Sequence, residues 1–324
     1  MARLGAVVVV FFLAAALAAE GILDPVDFLA LQAVRRSLDD MPGSAFFDAW
    51  DFTADPCGFP GVYCDGNRVS ALALGDPRAG SPGLTGRLDP ALGRMSALTE
   101  LSLILCHNQL TGGIPSFPDS SPLLRMDLKH NALSGGVPGL PGSLQYLSLA
   151  ANRLTGNVDF VLPRLTRLNY LDLSMNQLQG PIPASVFTLP LSVLQLQRNF
   201  FSGLLQPTSD VTIPVVDLSY NRFWGPLSPL LAGIGQLYLN NNRFTGDVPS
   251  RLVQELVGTG GLQLLYLQHN FLTGIEISPS SSLPSGVSLC LMYNCMVPPV
   301  YAPCPIKAGT QNTRPADQCP EWRG

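Results

Sequence analysis

The amino-acid sequence predicts an α/β repeat fold, in which short coils stack into one solenoid that is closed by a cysteine-stapled cap at each end. An asparagine recurs every 21 to 28 residues along most of the 324-residue chain, and leucines keep fixed positions ahead of it. Six of the seven cysteines lie near the two ends of the repeated region. A period of this length indicates stacked repeats, each of which buries its apolar side chains only against its neighbours.

The repeat unit reads Leu-x-x-Leu-x-Leu-x-x-Asn-x-Leu-x-Gly-x-Ile-Pro and is clearest over residues 123–138 and 168–183. Its mean length of about 23 residues falls within the roughly 20–29 residues of a leucine-rich repeat. We therefore predict a leucine-rich-repeat solenoid. The asparagines that mark the period are expected to form a structural ladder, and they are Asn108, Asn131, Asn152, Asn176, Asn199, Asn221, Asn242, Asn270 and Asn294.

The residues of one coil explain its expected shape. The alternation in Leu171-Asp172-Leu173 predicts a short strand with both leucines inward. The carboxamide of Asn176 can satisfy turn backbone groups in its own and neighbouring coils. Gly180 allows a tight bend, and Pro183 lies on the outer side, where no donor is needed. Nine such coils at about 4.8 Å give a concave parallel sheet of roughly 40 Å, which suits a long ligand better than a small molecule.

Four segments are predicted along the chain. Residues 1–19 have Arg3, then an apolar run, then small residues at Ala16-Leu17-Ala18, which is typical of a secretory signal peptide. Residues 20–68 are predicted as the N-terminal cap, 69–286 as leucine-rich repeats, and 287–324 as the last repeat with a C-terminal cysteine cap. No later stretch has the length of a transmembrane helix and no kinase-like segment follows, so we expect a secreted protein.

Both ends of a solenoid expose apolar surface and need a cap. In the N-terminal cap, Asp24 followed by Pro25 predicts the start of a helix. The apolar stripe of this helix is expected to contain Phe28, Leu31, Val34 and Leu38.

The cysteines predict an oxidising compartment and disulfide bonds in both caps. Cys57 and Cys64 lie in the N-terminal cap, at a spacing longer than that of most zinc sites. Cys106 is left over and is predicted to be a free thiol. The C-terminal cysteines allow three pairings, among which the sequence does not choose, and they are Cys290, Cys295, Cys304 and Cys319.

The N-terminal cap and the repeats resemble those of a known family. Trp50, Asp55-Pro56-Cys57, Gly61-Val62-Tyr63-Cys64 and the Leu-x-Gly-x-Ile-Pro repeat are similar to plant extracellular leucine-rich-repeat proteins. These include receptor-like proteins without a kinase domain, receptor-kinase ectodomains and polygalacturonase inhibitors. The resemblance implies a right-handed superhelix, a lateral strand at positions like Ile182, and recognition of peptides, proteins or wall glycans at the cell surface. The chain departs from the family at Phe59, where many relatives have a second tryptophan, and it has no Asn-x-Ser/Thr sequon.

One stretch of the repeats does not keep a single register. Leu98, Leu101 and Leu103 fit one repeat start, whereas Leu103, Leu105 and Asn108 fit another. Similar proteins of the long form have more repeats, so we hypothesise that this junction fuses two repeats between which coils were lost. A transcript that encodes the junction in one uninterrupted exon, with no longer isoform, would contradict that hypothesis.

The candidate ligand-binding residues lie between and after the inward leucines, on the predicted concave face. Tyrosine, arginine and carboxamide side chains are frequent there, and they are typical of recognition surfaces. A solvated strand face without a ligand is the alternative. The candidates are Arg125, Asp127, Lys129, His130, Tyr146, Tyr170, Asp172, Gln195, Gln197, Arg198, Asp217, Tyr220, Gln236, Tyr238, Asn240, Tyr266, Gln268 and His269.

Enzymatic, metal-binding and nucleic-acid-binding functions are not predicted. Asp127, Asp172 and Asp217 recur every 45 residues, but a flat ladder lacks a pocket that would raise the pKa of one carboxyl for acid catalysis. His107 and His130 lack a set of acidic or thiolate ligands apart from Cys106, so we expect no metal and no cofactor. The chain has 19 basic and 23 acidic residues, so nucleic acid is not an expected partner.

The sequence therefore predicts a secreted, non-enzymatic recognition protein of the plant apoplast or cell wall, acting in signalling or defence. Its expected ligand is an extracellular protein or peptide, with a cell-wall polysaccharide as a further candidate. Signals would pass only through a membrane partner such as a receptor kinase. Two other classes stay open, an inhibitor of wall-degrading polygalacturonases and a structural wall component. A polygalacturonase inhibition assay and extraction from the wall with mild salt separate the three.

Overall fold

The computed structural model describes residues 22–75, 83–103, 108–258, 261–277, 283–299, 304 and 312–319. The predicted signal peptide, Leu105, Cys106 and His107 lie outside the described residues. The helices and strands, in chain order, are α1 Pro25–Ser37, β1 Leu38–Asp40, β2 Val62–Asp65, β3 Arg68–Leu74, β4 Leu84–Arg87, β5 Glu100–Leu103, β6 Gln109–Thr111, β7 Arg125–Asp127, β8 Ser134–Gly135, β9 Tyr146–Ser148, β10 Arg153–Gly156, β11 Tyr170–Asp172, β12 Gln177–Gly180, β13 Val193–Gln195, β14 Phe200–Gly203, β15 Val215–Asp217, β16 Arg222–Gly225, β17 Gln236–Tyr238, β18 Arg243–Val248, α2 Ser250–Val257, β19 Leu264–Tyr266, β20 Phe271–Ile275 and β21 Ser288–Cys290.

The concave sheet has eleven strands in the order β2-β3-β5-β7-β9-β11-β13-β15-β17-β19-β21. Strands β2 and β3 pair antiparallel, and every later neighbour pairs in parallel. The alternation puts Leu147, Leu171 and Leu194 fully into the core. The predicted leucine-rich-repeat solenoid is confirmed. It has ten parallel rungs rather than nine, because β3 adds a rung ahead of the first ladder asparagine.

The second strand of most coils lies in a lateral layer. Strands β8, β10, β12, β14, β16, β18 and β20 form a seven-stranded parallel sheet, and β1, β4 and β6 form a smaller one at the N-terminal end. Alternation operates here as well, because Phe201 and Phe223 are fully buried whereas Phe200 and Trp224 are exposed. The core therefore lies between the concave sheet and the lateral layer.

The lateral strand was predicted at positions like Ile182, and this prediction is wrong. Strand β12 ends at Gly180, and β10 and β14 likewise end at Gly156 and Gly203, although no proline follows directly there. These three glycines have positive φ, which takes the backbone out of the extended conformation. Strand β18 does reach Val248, the equivalent of Ile182, after a register shift between Gly246 and Asp247.

The ladder asparagines bind the turns of successive coils. The Oδ1 atom of Asn176 accepts the N–H of Leu154 in the preceding coil at 3.0 Å. Its Nδ2 atom donates to the carbonyls of Leu149 in that coil and Leu173 in its own, at 2.9 and 3.1 Å. The residue before each asparagine from Asn131 to Asn294 is left-handed, with φ between 53° and 59°. This repeated turn directs the carboxamides between the coils.

The out-of-register stretch combines both of the registers that the sequence allowed. Strand β5 pairs with β3 and β7 with Leu101 opposite Leu72 and Met126, as the first register requires. Asn108 accepts the N–H of Leu84 through its Oδ1 atom, as the second register requires. The interval from Leu101 to Asn108 is two residues longer than in a regular coil, so this coil contains an insertion between strand and asparagine. Loss of coils at the junction stays a hypothesis.

The N-terminal cap contains helix α1 and an aromatic cluster. Asp24 caps the helix by accepting the N–H groups of Val26 and Asp27, and Leu31 and Val34 are buried. Leu38, which was predicted in the helical stripe, is buried but begins β1, because the helix ends at Ser37.

The aromatic cluster of the cap is centred on Trp50. Its indole N–H donates to the carbonyl of Pro60 at 3.1 Å. Phe59, which replaces a second tryptophan, packs on the Trp50 ring at a centroid distance of 5.3 Å. Phenylalanine can fill this position because the contact with Trp50 needs only an aromatic ring and no hydrogen-bond donor.

Disulfide bonds close both ends of the solenoid, which confirms the prediction of cysteine-stapled caps. Cys57 bonds to Cys64 in the N-terminal cap. In the C-terminal cap Cys290 bonds to Cys304, and Cys295 bonds to Cys319. The structure thereby selects one of the three pairings that the sequence left open.

Candidate ligand-binding face

The parallel register brings the predicted binding residues together in columns along the concave sheet. Residues at equivalent positions of successive coils lie side by side, so Tyr146 is opposite Tyr170 and Tyr238 is opposite Tyr266. The predicted residues separate into two groups along the sheet, and these groups differ in charge and in how far their side chains already contact each other.

The first group, which we name the N-terminal stack, consists of Arg125, Tyr146 and Tyr170. The guanidinium carbon of Arg125 lies 3.6 Å from the centroid of the Tyr146 ring. The rings of Tyr146 and Tyr170 stack at 4.5 Å with an interplanar angle of 6°. The Tyr170 hydroxyl donates to Oε1 of Gln195 at 3.4 Å. Cation–π and stacking contacts thus join three successive rungs, and the hydrogen bond to Gln195 adds a fourth, which holds these side chains in place.

Charges around the N-terminal stack are paired with each other. Asp127 is only 5% exposed, and its carboxylate lies 3.3 Å from both the Arg125 guanidinium and the Lys129 ammonium. Arg125 also approaches Glu100 at 3.5 Å. Burial, with a further contribution from nearby Asp172, raises the pKa of Tyr170 to about 12. The phenol therefore remains a hydrogen-bond donor at any physiological pH.

The three regularly spaced carboxylates do not form an acid–base pair. Asp172 lies between Ser148 and Gln195 on the neighbouring rungs, so a rung without an acidic residue at this position separates it from Asp127 and from Asp217. Asp172 and Asp217 each accept a backbone N–H two residues later, from Ser174 and Ser219, at 2.9 Å. Burial raises the pKa of Asp217. These carboxylates serve as acceptors at the ends of their strands.

The second group surrounds an open depression of about 430 Å³, which we name the C-terminal cavity. Tyr238 and Tyr266 meet edge to face, with centroids 5.2 Å apart and planes at 82°. The predicted residues Asn240 and Gln268 are each 7% exposed. The full lining is Ser219, Tyr220, Tyr238, Asn240, Asn241, Tyr266, Gln268, His269 and Met292.

The residues that precede the ladder asparagines form one border of the face. The guanidinium of Arg198 lies over the ring of Tyr220 at 4.6 Å, and the ring of His269 lies 4.9 Å from that of Tyr293. Burial, and then the nearby charge of Arg314, lowers the pKa of His269. The imidazole therefore stays neutral to a lower pH than a free histidine.

Some predicted residues lie outside the cavity, and some cavity residues were not predicted. His130 is exposed on the rung of the N-terminal stack and lines no part of the cavity. Ser219, Asn241 and Met292 line it but were missed. They occupy the same two columns as the predicted Asn240 and His269, so extending each column through every repeat would have found them. Among the described residues, no three or more His, Cys, Asp or Glu are placed to hold a metal.

The fold is that of a leucine-rich-repeat solenoid. Residues 24–65 match the family model for the leucine rich repeat N-terminal domain, and residues 167–189 match the Leucine Rich Repeat model. Receptor-like protein 7 of Arabidopsis thaliana is 32% identical over 136 residues, which are 41% of this chain and 13% of that protein. Receptor-like protein 47 of the same plant is 29% identical over 175 residues, 50% of this chain and 22% of that protein. The predicted resemblance to plant receptor-like proteins is confirmed, and the chain spans less than a quarter of each of these relatives.

Solved structures show the same fold. The leucine-rich-repeat ectodomain of the receptor kinase GASSHO1/SCHENGEN3 from Arabidopsis thaliana, in complex with CASPARIAN STRIP INTEGRITY FACTOR 2, aligns with a TM-score of 0.65 at 27% identity, over 83% of this chain and 33% of that one. The plant peptide hormone receptor RGFR1, in complex with RGF2, aligns with a TM-score of 0.54 at 25% identity, over 65% and 35%. A plant ice-binding protein, at 23% identity and a TM-score of 0.61 over 89% and 100%, shows the fold alone. No helix in the described part of this chain is both long and apolar enough to cross a membrane.

Proposed function

We propose that this protein recognises an extracellular peptide or protein segment along its concave sheet and catalyses no reaction. The observation that carries the proposal is the C-terminal cavity, where tyrosine and carboxamide side chains line an open depression on a rigid parallel sheet. Tyrosines supply large contact areas at interfaces, and a few polar groups fix the orientation of a ligand. Because stacked coils hold these groups in advance, binding orders few side chains and loses little entropy.

The comparisons support a peptide as the class of ligand. RGFR1 is a peptide hormone receptor with the same fold and was solved with RGF2 bound, and we extend this class of ligand to the present chain. We also infer an extracellular location, in the apoplast or cell wall. Three disulfide bonds and the predicted signal peptide support that location. A membrane partner such as a receptor kinase would carry the signal.

Affinity capture followed by calorimetry tests this function. The immobilised full chain captures ligands from apoplastic fluid, and each identified ligand is titrated against the wild type and Tyr238→Ala. We expect the variant to weaken binding about tenfold or more, as for a central tyrosine of an interface. Phe160→Ala is the matched control, because Phe160 is 82% exposed and lies in no strand of the concave sheet. Equal affinities of wild type and Tyr238→Ala, with Arg125→Ala also unchanged, would contradict recognition by this face.

Inhibition of a polygalacturonase stays a prediction of the sequence. A reducing-sugar assay of the enzyme, with and without the purified protein, decides it. Inhibition that Tyr238→Ala and Arg125→Ala abolish would place the enzyme among the ligands of the concave face.

A further inference from the structure

The floor of the C-terminal cavity contains two carboxamides that the fold itself does not use. Asn240 and Gln268 hold equivalent positions on neighbouring rungs, each two residues after a tyrosine of the registered pair Tyr238 and Tyr266. Each is 7% exposed. The Oε1 atom of Gln268 has no hydrogen-bond partner, and neither side chain makes a hydrogen bond to another described residue. Buried polar groups are normally paired, so the Gln268 amide calls for a partner from outside the chain. The Asn240 amide lies beside it and is also available to a ligand.

The ladder asparagines nearby, by contrast, are fully bonded. Gln197, at the equivalent position of an earlier coil, also has a buried Oε1 atom without a partner, but it does not line the cavity. Asn242 is two residues from Asn240, and its carboxamide bonds to the N–H of Phe223 and the carbonyls of Leu218 and Leu239. Asn270 has the same set of contacts in the next coil. The coil therefore satisfies its turn with the ladder carboxamides, while Asn240 and Gln268 point to the open side of the sheet and line the cavity.

The walls of the cavity select against charge. Among the described residues, no lysine, arginine, aspartate or glutamate lines it, and burial lowers the pKa of His269, so the imidazole is neutral near neutral pH. A charged ligand side chain would lose hydration here, and the nearest charges stand outside the lining, with Arg198 over the Tyr220 ring and Asp217 on the rung beside Tyr238. The N-terminal stack differs, because it contains the charged pair Arg125 and Asp127.

We propose that the C-terminal cavity is the specificity site for an uncharged, extended peptide segment, whose backbone amides hydrogen-bond to Asn240 and Gln268 while an apolar side chain packs against the tyrosines. This proposal rests on the proposed function and deepens it. A carboxamide side chain has both a donor and an acceptor, as a peptide bond does, so a side-chain amide can make two hydrogen bonds to one peptide bond of a ligand. Tyr238 and Tyr266 meet at 82° and make a niche with Met292 rather than a flat platform, which favours a branched side chain over a sugar ring.

The experiment uses a phage-displayed library of random dodecapeptides, selected on the full chain. The best synthetic peptide is then titrated against the wild type, Asn240→Leu and Gln268→Leu. We expect selected peptides with an uncharged core, and a loss of affinity of about tenfold in each leucine variant, equivalent to one hydrogen bond. Asn157→Leu is the matched control. It removes an exposed carboxamide that follows β10 in the lateral layer, away from the concave sheet, and its affinity should change less than about twofold.

Thermal unfolding separates a binding role from a structural one. Replacing an unpaired buried amide by an apolar side chain of similar size is neutral or stabilising, so both leucine variants should keep or raise the wild-type Tm. A lowered Tm together with weak binding would mean that the amides support the fold, and this would overturn the proposal.

Other outcomes also overturn it and identify what fails. Selected peptides that depend on a lysine, arginine or acidic residue, or that lose affinity in Arg125→Ala but not in Gln268→Leu, would remove the cavity as the site and leave concave recognition intact. Binding of a neutral oligosaccharide such as cellohexaose with loss in Gln268→Leu would change the class of ligand. A library that yields no binder would count against the peptide form of the proposed function itself.

Discussion

Replacing Asn176 by alanine is expected to weaken the contact between two successive coils. The carboxamide of Asn176 accepts the N–H of Leu154 at 3.0 Å and donates to the carbonyl of Leu149 at 2.9 Å, and both residues belong to the preceding coil. It also donates to Leu173 in its own coil at 3.1 Å. Asn176 is 7% exposed, so water does not replace these bonds without opening the coil.

The magnitude follows from the groups that lose their partner. In Asn176→Ala the buried N–H of Leu154 loses its partner, whereas the carbonyls of Leu149 and Leu173 still accept from Asn152 and Asn199. One unpaired buried group predicts a loss of stability of about 1–3 kcal/mol. Asn176→Asp keeps an acceptor for Leu154 but turns an oxygen toward two carbonyls. Its destabilisation should therefore be larger at pH 7 than at pH 3, where the carboxyl is protonated and can donate again.

Urea unfolding followed by circular dichroism measures the global loss, and hydrogen exchange at the Leu154 amide measures the local one. Hydrogen exchange is needed in addition, because one coil of a solenoid can unfold while the other coils stay folded. Asn157→Ala is the control, since Asn157 is exposed and its side chain makes no hydrogen bond to another described residue. An unchanged urea midpoint, with the Leu154 amide as protected as in the wild type, would refute the ladder reasoning.

Three further predictions address the turn, a buried carboxyl and the N-terminal cap. Met175→Gly should raise the urea midpoint, with a gain in stability of up to about 1 kcal/mol. Met175 has φ 55°, and the left-handed strain that glycine removes exceeds the extra backbone entropy that glycine loses on folding. A lowered midpoint would contradict this. Burial raises the pKa of Asp217, so its carboxylate lowers stability once the pH rises through that pKa, and Asp217→Asn should raise Tm at pH 7 but not at pH 3; an equal shift at both pH values would disagree. Cys57→Ser opens a disulfide between residues seven apart, which should cost about 2–3 kcal/mol and expose the cap to proteolysis near Tyr63; full resistance to protease would argue against that role.

The regular part of the fold was predictable because one physical rule acts in every coil. Leucine alternation fixes the inward face of β11, and the spacing to Asn176 fixes the turn, so the period alone predicts the stack. The lateral strands were less predictable, because β10, β12 and β14 stop at their glycine whereas β18 continues through Asp247. The continuation depends on a register shift after Gly246, which the consensus pattern does not contain.

The sequence predicts which residues lie on the candidate face, but not how their side chains contact each other. The sequence correctly places Tyr146, Tyr170, Tyr238 and Tyr266 on one sheet, yet it treats the two pairs as equivalent. In the structure the first pair is stacked and the second meets edge to face. Ring orientation depends on the neighbouring side chains, such as Arg125 on the Tyr146 ring, and the repeat period contains no information about them.

The difference between the two pairs has its origin in a shift of two residues along the strand. Tyr146 and Tyr170 precede the inward leucine of their rungs, next to the long side chain of Arg125, and the three fill successive positions of one column. Tyr238 and Tyr266 follow the inward leucine instead.

In that column the tyrosines lie next to the column of Asn240 and Gln268 and leave the depression open. A two-residue change of position leaves the inward leucines in place and separates the closed stack from the open depression. If the depression binds the ligand, as we propose, the columns that bind differ from the leucine columns that form the core, so specificity could change while the core is kept.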